Sequence, residues 1–188
     1  MIPANELRTW TRQLGDVTYT VSTDPSQIQL DALNDAFASD MVYWAKPIPR
    51  KRSSSAWSSR CVSGSEEGSQ GHKMVGFGRL ITDYVTFAYL TDVYVLAEHQ
   101  GKGLGKWMMQ CLDEVLRSWP NLRRCVLFTR GAAAVRMYGE TIGARDVSET
   151  SPSLVVLEKR GPDAAMAGGN EKTREQKGDG IALAGEGR

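Results

Sequence analysis

The clearest hydrophobic pattern in the chain is a helical stripe in its second half. Apolar residues recur there at spacings of three and four positions, which places them on one face of an α-helix. The stripe consists of Leu104, Trp107, Met108, Cys111, Leu112, Val115 and Leu116. Pro120 follows and cannot continue a helix, so the sequence predicts a helix that begins near Leu104 and ends before Pro120.

Runs of β-branched and aromatic residues on either side of this helix predict strands. Residues 86–96 form the best run, residues 74–81 precede it across a short turn at Asp83 and Tyr84, and residues 124–129 follow the helix. Two strands joined by a short turn pair antiparallel. The order strand, loop, helix, strand is a βαβ unit, which predicts that the strands at 86–96 and 124–129 lie parallel.

Weaker patterns complete the predicted elements. Residues 18–23 form a candidate first strand, and Asp24 is placed to cap a helix that reaches about residue 39. A second helix covers residues 132–141 and is closed by Gly143, and a last strand covers residues 154–158. Helices and strands alternate along the chain, which indicates an α/β protein.

Two segments lack an apolar period and are predicted to lie outside the core. Residues 50–71 are dominated by serine, glycine and charged residues, which indicates a mobile loop. Residues 161–188 are rich in glycine, alanine, glutamate and lysine, which indicates a disordered tail. A chain of 188 residues is therefore predicted to form one domain over residues 1–160.

Composition and charge narrow the class of protein. Lysine and arginine number 23 and aspartate and glutamate 22, and this net charge of +1 gives no global field to attract nucleic acid or a membrane surface. The first residues lack the apolar core of a signal peptide, which predicts a cytoplasmic protein, with the nucleus as the alternative. Three free cysteines are expected, with Cys111 and Cys125 inert on apolar faces, and the two histidines have no metal-ligand spacing, so no metal site is predicted.

The candidate chemistry lies in residues 100–105, where a glycine-rich turn leads from a strand into the striped helix. Such a turn aims unpaired backbone N–H groups at one point, and Lys102 and Lys106 add charge, which favours a phosphate or pyrophosphate ligand. A Walker loop is excluded because the turn is one residue short and Trp107 stands where a hydroxyl belongs. The glycine spacing also differs from the dinucleotide fingerprint. His99 is expected to be a solvated neighbour.

This turn resembles motif A of the GNAT family of N-acetyltransferases, (Arg/Gln)-x-x-Gly-x-(Gly/Ala). The flanking strand and helix agree, and a later helix carries Tyr138 ahead of a glycine. The resemblance extends over residues 18–158, and Tyr43-Trp44-Ala45 together with residues 75–107 resembles small single-domain fungal and bacterial members. It implies the GNAT acyl-CoA N-acyltransferase fold, a mixed and mostly antiparallel sheet flanked by helices.

The resemblance implies that acetyl-CoA binds as a co-substrate. The family's pyrophosphate site corresponds to the motif loop and the first helical turn, here Gln100, Gly101, Lys102, Gly103, Leu104, Gly105 and Lys106. The pantetheine arm of the cofactor is expected to pair with the preceding strand, here Val93, Tyr94 and Val95. That strand is expected to diverge from the strand at 124–129, and the gap between them admits the thioester.

The family transfers the acetyl group directly to an amine, and two side chains match its catalytic positions. Tyr138 matches the general acid that protonates the departing thiolate, and its alternative role is an aromatic packed on an amphipathic helix. Asp92 lies where some relatives, such as glucosamine-phosphate acetyltransferases, carry an aspartate. It either orients the amine or accepts its proton, or it is a structural carboxylate. A backbone N–H of Val93 or Tyr94 is the expected oxyanion donor.

The acceptor residues are assigned by position alone. Asp83, Tyr84 and Phe87 lie on the hairpin that opposes the cofactor strand, where they either line the amine site or serve the turn and core. Tyr43 and Trp44 lie where the family's first loop covers the acceptor cleft, and their alternative role is core packing.

Two departures from the family pattern are visible. The family has a helix and a strand between its first helix and the strand at residue 74, whereas residues 50–71 supply neither pattern. One family strand is therefore predicted to be missing or replaced by a loop. The asparagine with which the family contacts its cofactor before the Tyr138 helix is also absent, and Gly131 is the nearest position.

The sequence therefore predicts an N-acetyltransferase that transfers acetyl from acetyl-CoA to a primary amine of a small molecule. Two alternatives stay open: a pseudoenzyme that binds acetyl-CoA without transferring the acetyl group, and a protein or histone N-acetyltransferase. No nucleic-acid or membrane partner is expected, and a homodimer is left open.

Overall fold

The computed structural model describes residues 6–39, 42, 60–68, 71–157 and 159, with residues 60–68 described by their backbone alone. The strands are β1 Thr9–Leu14, β2 Val17–Ser22, β3 Arg60–Gly68, β4 Gly71–Thr82, β5 Phe87–Val95 and β6 Arg124–Leu127. The helices are α1 Leu30–Ala38, α2 Leu104–Arg117, α3 Ala132–Ile142 and the short α4 Val147–Thr150. These elements belong to one compact unit, Met1–Val155, and Val156–Arg188 forms a second unit.

Within the described residues, six strands form one sheet in chain order. Each strand from β1 to β5 pairs antiparallel with the next, and β5 pairs parallel with β6. The prediction of a mixed, mostly antiparallel sheet is confirmed. The βαβ unit formed by β5, α2 and β6 is also confirmed.

The two faces of the sheet are packed by different helices. The apolar stripe of α2 is buried in a cluster with strand residues that include Tyr19, Leu80 and Leu90. Helix α1 packs on the other face, where Phe37 contacts a cluster that includes Phe77. Each large apolar side chain buried in this way contributes roughly 1.5–3 kcal/mol, so burial on both faces fixes the sheet between its helices. In the described part of the chain, no helix is long and apolar enough to span a membrane.

A bulge interrupts β5 near its C-terminal end. Two residues of β5, Asp92 and Val93, lie opposite the single residue Gly78 of β4. Asp92 has a φ of 53°, in the left-handed region that aspartate tolerates better than most non-glycine residues. Leu90 and Val93 both pack towards α2 although they are three positions apart. The bulge therefore reverses the alternation of β5 at the point where the strand enters the predicted cofactor segment.

The prediction that residues 50–71 form a loop, with a family strand missing, is wrong for Arg60–Gly68. This segment is β3, and it pairs antiparallel with β2 on one side and with β4 on the other. Serine, glycine and glutamate have low β-propensity, so the segment has no strand pattern of its own. Its two neighbours satisfy its backbone on both edges, and this pairing overrides weak local propensity. The family strand is present.

The prediction of a last strand at residues 154–158 is also wrong, because residues 154–157 are described and do not form a strand. Val155 is 74% exposed and Leu157 is 89% exposed. Aliphatic residues raise β-propensity, but a strand forms only where a partner supplies hydrogen bonds and a surface on which to pack.

The predicted boundaries near the N-terminus shift for a local reason. Asp24 does act as a cap, since its Oδ1 accepts the backbone N–H of Ser26 at 2.9 Å. It caps a single 3₁₀ turn at Pro25–Gln27, and α1 begins only at Leu30. The sequence analysis also did not predict β1, which pairs along its whole length with β2.

Candidate active site

Strand β6 pairs with only the first part of β5. Their parallel register runs from Phe87 opposite Arg124 to Leu90 opposite Leu127. β6 ends at Leu127, whereas β5 continues to Val95. In the described part of the chain, no strand pairs with the outer edge of β5 beyond Leu90. The pairing with β6 therefore stops before the predicted cofactor segment, as expected if the two strands separate there.

The glycine-rich loop connects the end of β5 to the N-terminus of α2. Gly101 and Gly103 both have a φ of 75°, in the left-handed region that favours glycine. Gly103 is the N-cap of α2 and makes no side-chain hydrogen bond to the first helical N–H groups. Apart from the residues next to each glycine in the chain, no described atom lies within 4 Å of the position that a Cβ would take at either glycine. The loop is therefore an open cradle at the positive end of a helix, which suits a phosphate group.

Side-chain contacts hold the two ends of this cradle. Gln100 Nε2 donates a hydrogen bond to the backbone oxygen of Val95 at 2.8 Å, which ties the start of the loop to the end of β5. Lys106 Nζ lies 2.7 Å from Glu140 Oε2, which links the first turn of α2 to α3. The hydrogen bond from Lys106 holds the pKa of Glu140 below its usual range. Lys106 thus has an exposed partner on α3 besides its place at the cradle.

Tyr138 lies on α3, which packs beside the loop and the end of β5. A Cβ at Gly105 would meet Val95 Cγ2 at 3.8 Å and Met137 Sδ at 4.0 Å, so these elements are in close contact. Tyr138 is 8% exposed and belongs to the core cluster beneath α2. Burial raises the pKa of its phenol. The phenol therefore keeps its proton at neutral pH, which is the state that a general acid requires.

Asp92 forms a buried ion pair at the bulge. Its Oδ2 lies 2.6 Å from Arg79 Nη2, and its Oδ1 accepts a hydrogen bond from the Thr91 hydroxyl at 3.3 Å. Asp92 is 7% exposed, and a buried carboxylate needs such partners to offset its desolvation. The sequence analysis did not identify Arg79 as a partner of Asp92. These contacts favour the structural alternative for Asp92 over that of a proton acceptor.

Asp83, predicted to line the amine site, is engaged within its own turn. Its Oδ1 accepts the backbone N–H groups of Val85, Thr86 and Phe87 at distances from 2.8 to 3.0 Å. Its Oδ2 accepts the Thr86 hydroxyl at 2.7 Å. The hydrogen bond from the Thr86 side chain, followed by those from the backbone, holds the pKa of Asp83 well below its usual range. This carboxylate closes the β4–β5 turn.

The structure does not bring Tyr84 or Phe87, two other predicted acceptor residues, to the cleft. The Tyr84 ring lies 6.1 Å from that of Trp119, beyond the C-terminal end of α2. Phe87 precedes Asp92 by five positions in an extended strand, a separation of about 16 Å. Tyr43 and Trp44 lie outside the described residues.

Two aromatic residues that the sequence interpretation missed lie where the pairing between β5 and β6 ends. Tyr89 pairs with Val126, and Phe128 directly follows β6. Their rings are 5.7 Å apart and edge to face, and Phe128 is 70% exposed. Leu90 and Leu127 point towards α2, so Tyr89 and Phe128 lie on the opposite face. The alternation of side chains between the two faces of the strand at residues 86–96 could have indicated which face Tyr89 occupies. The position of Phe128 could not be predicted in this way, because it depends on where β6 ends.

The remaining reactive side chains fall into two classes. His99 is buried rather than solvated, with 6% exposure, and its Nδ1 lies 3.3 Å from the Tyr19 hydroxyl. The prediction of a solvated histidine is therefore wrong. Burial raises the pKa of Cys111 to about 12 and that of Cys125 to about 11. Both thiols stay protonated at neutral pH, which agrees with the prediction that they are inert.

The comparison with known sequences identifies the family. Residues 30–144 match the Acetyltransferase (GNAT) family. The chain belongs to the GNAT family. This GNAT chain is 43% identical over 164 residues to a Gibberella zeae protein named as an acetyltransferase, a match that covers 79% of this chain and 89% of that protein. It is 35% identical over 85 residues to the thialysine N-epsilon-acetyltransferase of Sus scrofa, which covers 43% of this chain and 49% of that enzyme.

Solved structures agree with this GNAT assignment. A Xanthomonas campestris protein of the GNAT family is 32% identical with a TM-score of 0.60, over 77% of this chain and 94% of that one. A Staphylococcus aureus structure is 16% identical with a TM-score of 0.54, over 74% of this chain and 99% of that one, and it supports the fold alone. The predicted GNAT membership and fold class are confirmed.

The GNAT family uses acetyl-CoA as its co-substrate, and this chain is an acetyl-CoA-dependent N-acetyltransferase. The geometry fits such a ligand. An open helix N-terminus at Gly103 suits a diphosphate, and an uncovered strand edge up to Val95 suits an extended arm with amide groups.

Proposed function

We propose that this GNAT enzyme transfers acetyl to the primary amine of a small molecule in the cleft where β5 and β6 diverge. The observation that carries the proposal is that three features meet at the end of β5. These are the uncovered strand edge that runs to Val95, the open cradle at Gly101 and Gly103, and the α3 helix that carries the buried phenol of Tyr138. A ligand with a diphosphate at one end and a thioester at the other matches this order.

The loop and the strand edge have the chemistry to hold acetyl-CoA. The N–H groups of the loop and of the first turn of α2 are the proposed pyrophosphate donors, with added charge from Lys102 and Lys106. The edge of residues 93–95 is the proposed partner of the pantetheine amides. Once bound, acetyl-CoA supplies the activated acetyl group.

Tyr138 is the proposed general acid. A departing thiolate needs a proton, and the pKa of the phenol, raised by burial, keeps that proton in place through the neutral range. The backbone N–H of Val93 or Tyr94 is the proposed donor to the acetyl oxygen, because the bulge at Asp92 turns this segment of β5.

Asp92 is proposed to fix the shape of the bulge rather than to take the proton of the amine. Arg79 and Thr91 each hold one of its carboxylate oxygens. An ammonium acceptor must lose one proton before its nitrogen can attack the thioester, and this proton is proposed to pass to water in the cleft rather than to Asp92. In this account Arg79 and Asp92 are positioning residues on the acceptor side of the sheet.

The acceptor is proposed to enter past Tyr89 and Phe128. Both rings lie on the face opposite α2 at the point where the cleft opens, and Phe128 is exposed. An aromatic face attracts an ammonium group and packs on an apolar chain. The acceptor class that fits is an alkyl amine of low molecular mass. The Sus scrofa relative supports this class, because its name assigns it the ε-amine of thialysine.

A CoA-release assay with a panel of amines tests this proposal. The panel holds thialysine, lysine, a polyamine, an arylalkylamine and a histone-tail peptide, with the Tyr138→Phe variant as the matched control. We expect turnover with at least one small amine and a large loss in the variant. Turnover with the peptide alone would make the enzyme a protein acetyltransferase. CoA binding without turnover on any amine would make it a pseudoenzyme.

A further inference from the structure

Tyr19 connects the N-terminal hairpin to the phosphate cradle, although neither its sequence position nor the motif indicates such a role. Tyr19 lies in the middle of β2 and is 2% exposed. Its hydroxyl lies 3.2 Å from Lys102 Nζ and 3.3 Å from His99 Nδ1. Both partners come from the segment that links β5 to α2, about 80 residues further along the chain.

Hydrogen-bond chemistry fixes the direction of one bond in this trio. A lysine ammonium can only donate, so the Tyr19 oxygen accepts from Lys102. The Tyr19 hydroxyl and His99 Nδ1 share the second hydrogen bond, in which the tautomer of the imidazole decides which atom donates. The Tyr19 oxygen therefore joins Lys102 and His99 in one hydrogen-bonded trio.

Ring contacts support the same arrangement. The Tyr19 and His99 rings lie edge to face with centroids 6.0 Å apart. Lys102 Nζ also lies 5.9 Å from the centre of the Tyr19 ring. Removal of the hydroxyl alone would keep the ring packing and cancel both hydrogen bonds.

The cradle needs such support because of its composition. Lys102 stands between Gly101 and Gly103, and two glycines in the left-handed region give the free loop many alternative conformations. The lysine side chain also loses rotamer freedom when its ammonium is fixed. A buried hydroxyl on a sheet strand is a rigid point that can hold both the charge and the backbone of the loop.

We propose that Tyr19 is a positioning residue for the cofactor cradle, which it holds in its binding conformation through Lys102 and His99. Tyr19 is not proposed to touch the cofactor. This inference rests on the proposed binding of CoA at the loop. It adds that part of the affinity for CoA depends on a residue of β2, outside the motif.

Steady-state kinetics of Tyr19→Phe test the inference, with Tyr84→Phe at the far end of β5 as the matched control. We expect the KM for acetyl-CoA and the Kd for CoA to rise about threefold to tenfold, the range for loss of an ordinary intramolecular hydrogen bond. The kcat at saturation and the KM for the amine should stay unchanged, as should all three values in Tyr84→Phe. An unchanged Kd for CoA, or an equal loss in every parameter, overturns the inference.

A double-mutant cycle with Lys102→Met separates positioning from a general structural effect. We expect Lys102→Met to weaken CoA binding less in the Tyr19→Phe background than in the wild type, because the two residues share one contact. Fully additive losses would mean that Tyr19 acts independently of Lys102 and would contradict the proposal.

Amide hydrogen exchange of the ligand-free proteins distinguishes a failure here from a failure of the proposed function. We expect the amides of residues 101–103 to exchange faster in Tyr19→Phe than in the wild type, with no change in Tyr84→Phe. This result needs no cofactor. If the loop exchanges equally in both proteins, Tyr19 does not hold it. If exchange changes as expected but the wild type binds no CoA, the ligand assignment is wrong and the anchoring role remains.

Discussion

The two ends of β5 differ in how their backbone groups are satisfied. At the hairpin end, Ala88 to Leu90 pair with strands on both sides, and the Asp83 carboxylate accepts three N–H groups of the turn. At the other end, the register with β6 has stopped, and Gly103, the N-cap of α2, offers no side-chain hydrogen bond to the helix. Among the described residues, the hairpin end of β5 is therefore paired on both sides, whereas no strand pairs with the outer edge of its other end.

This contrast separates a turn from a binding site better than residue type does. Both ends of β5 carry an aspartate and a tyrosine beside a glycine-rich or polar loop. The sequence analysis therefore predicted functional residues at both ends. Buried or helix-terminal groups without an internal partner are costly unless water or a ligand satisfies them. The end of β5 with the unpaired edge is therefore the proposed site, and the paired end stabilises the fold.

Substitution of the acid at the open end should have the largest effect. Tyr138→Phe keeps the ring and removes the hydroxyl, so we expect kcat to fall roughly 10²–10⁴-fold, the span of general acid–base catalysis. The Kd for CoA should scarcely change, because the proton matters only as charge develops on sulfur. Steady-state rates with the best amine, together with CoA binding by calorimetry, provide the measurement.

The pH profile adds a signed test of the same residue. The acid must be protonated to work, so the rate falls as pH rises through its pKa, and burial raises that pKa above the ordinary phenol value of about 10. The wild-type alkaline limb should therefore lie above about pH 10, and Tyr138→Phe should lack it. An alkaline limb that persists unchanged in the variant would assign the proton to another group.

The open cradle should be the next most sensitive feature. Gly103→Val places a branched side chain at a φ of 75°, in the open space where a phosphate is proposed to bind. We expect at least a tenfold loss of CoA affinity, about 1.4 kcal/mol. Gly15→Val, at a φ of 63° in the β1–β2 turn, is the matched control for backbone strain. Equal CoA affinity in folded Gly103→Val and wild type would remove the cradle from the account.

A smaller effect is expected on the acceptor side of the cleft. Phe128→Ala removes an exposed ring beside Tyr89 and should raise the KM for the amine about twofold to fivefold, as for an exposed cation–π contact. The KM for acetyl-CoA should not change. Phe87→Ala, at the closed end of β5, is the control and should leave the KM for the amine unaltered. If the two variants exchange these outcomes, the acceptor enters near the hairpin, as the sequence first suggested.

The smallest kinetic effect is expected at the Asp83 turn, where the consequence is stability. Asp83→Ala removes the acceptor of three backbone N–H groups and should lower Tm by about 2–4 °C with unchanged kcat and KM. The pKa of Asp83 is lowered on folding, so its contribution is present above the unfolded value of 3.8 and is lost as pH falls through the folded value. Melting curves at pH 7 and pH 5 should therefore show the same difference between variant and wild type. A fall in kcat without a fall in Tm would return Asp83 to the catalytic site.

Features that depend on local pattern could be predicted from the sequence. The apolar stripe of α2 and the order of β5, loop, α2 and β6 follow from residues that are close together in the sequence. The motif at Gln100 to Gly105 lies within this segment. The left-handed closure at Gly143 was predicted for the same reason, because glycine is favoured there. The open cradle follows from these local features.

Features that depend on distant partners could not be predicted. β3 has no strand pattern and exists because β2 and β4 pair with it, whereas residues 154–157 have the pattern without the pairing. His99 is buried because Tyr19 of β2 reaches it. Asp92 has a partner in Arg79 that only the register of the hairpin reveals. Phe87 was predicted to lie near the cleft because it is close in sequence to the cofactor segment, but an extended strand separates Phe87 from that segment.

Amide hydrogen exchange of the wild-type protein with and without CoA tests the central claim most directly, because it compares the two ends of β5 in one experiment. We predict that CoA slows exchange in residues 91–106, where no described strand pairs with the outer edge of β5 and no side chain caps α2 at Gly103, and that residues 83–90 stay unchanged. Slower exchange at residues 83–90 with no change at 91–106 would contradict the claim that the open end of β5 is the cofactor site.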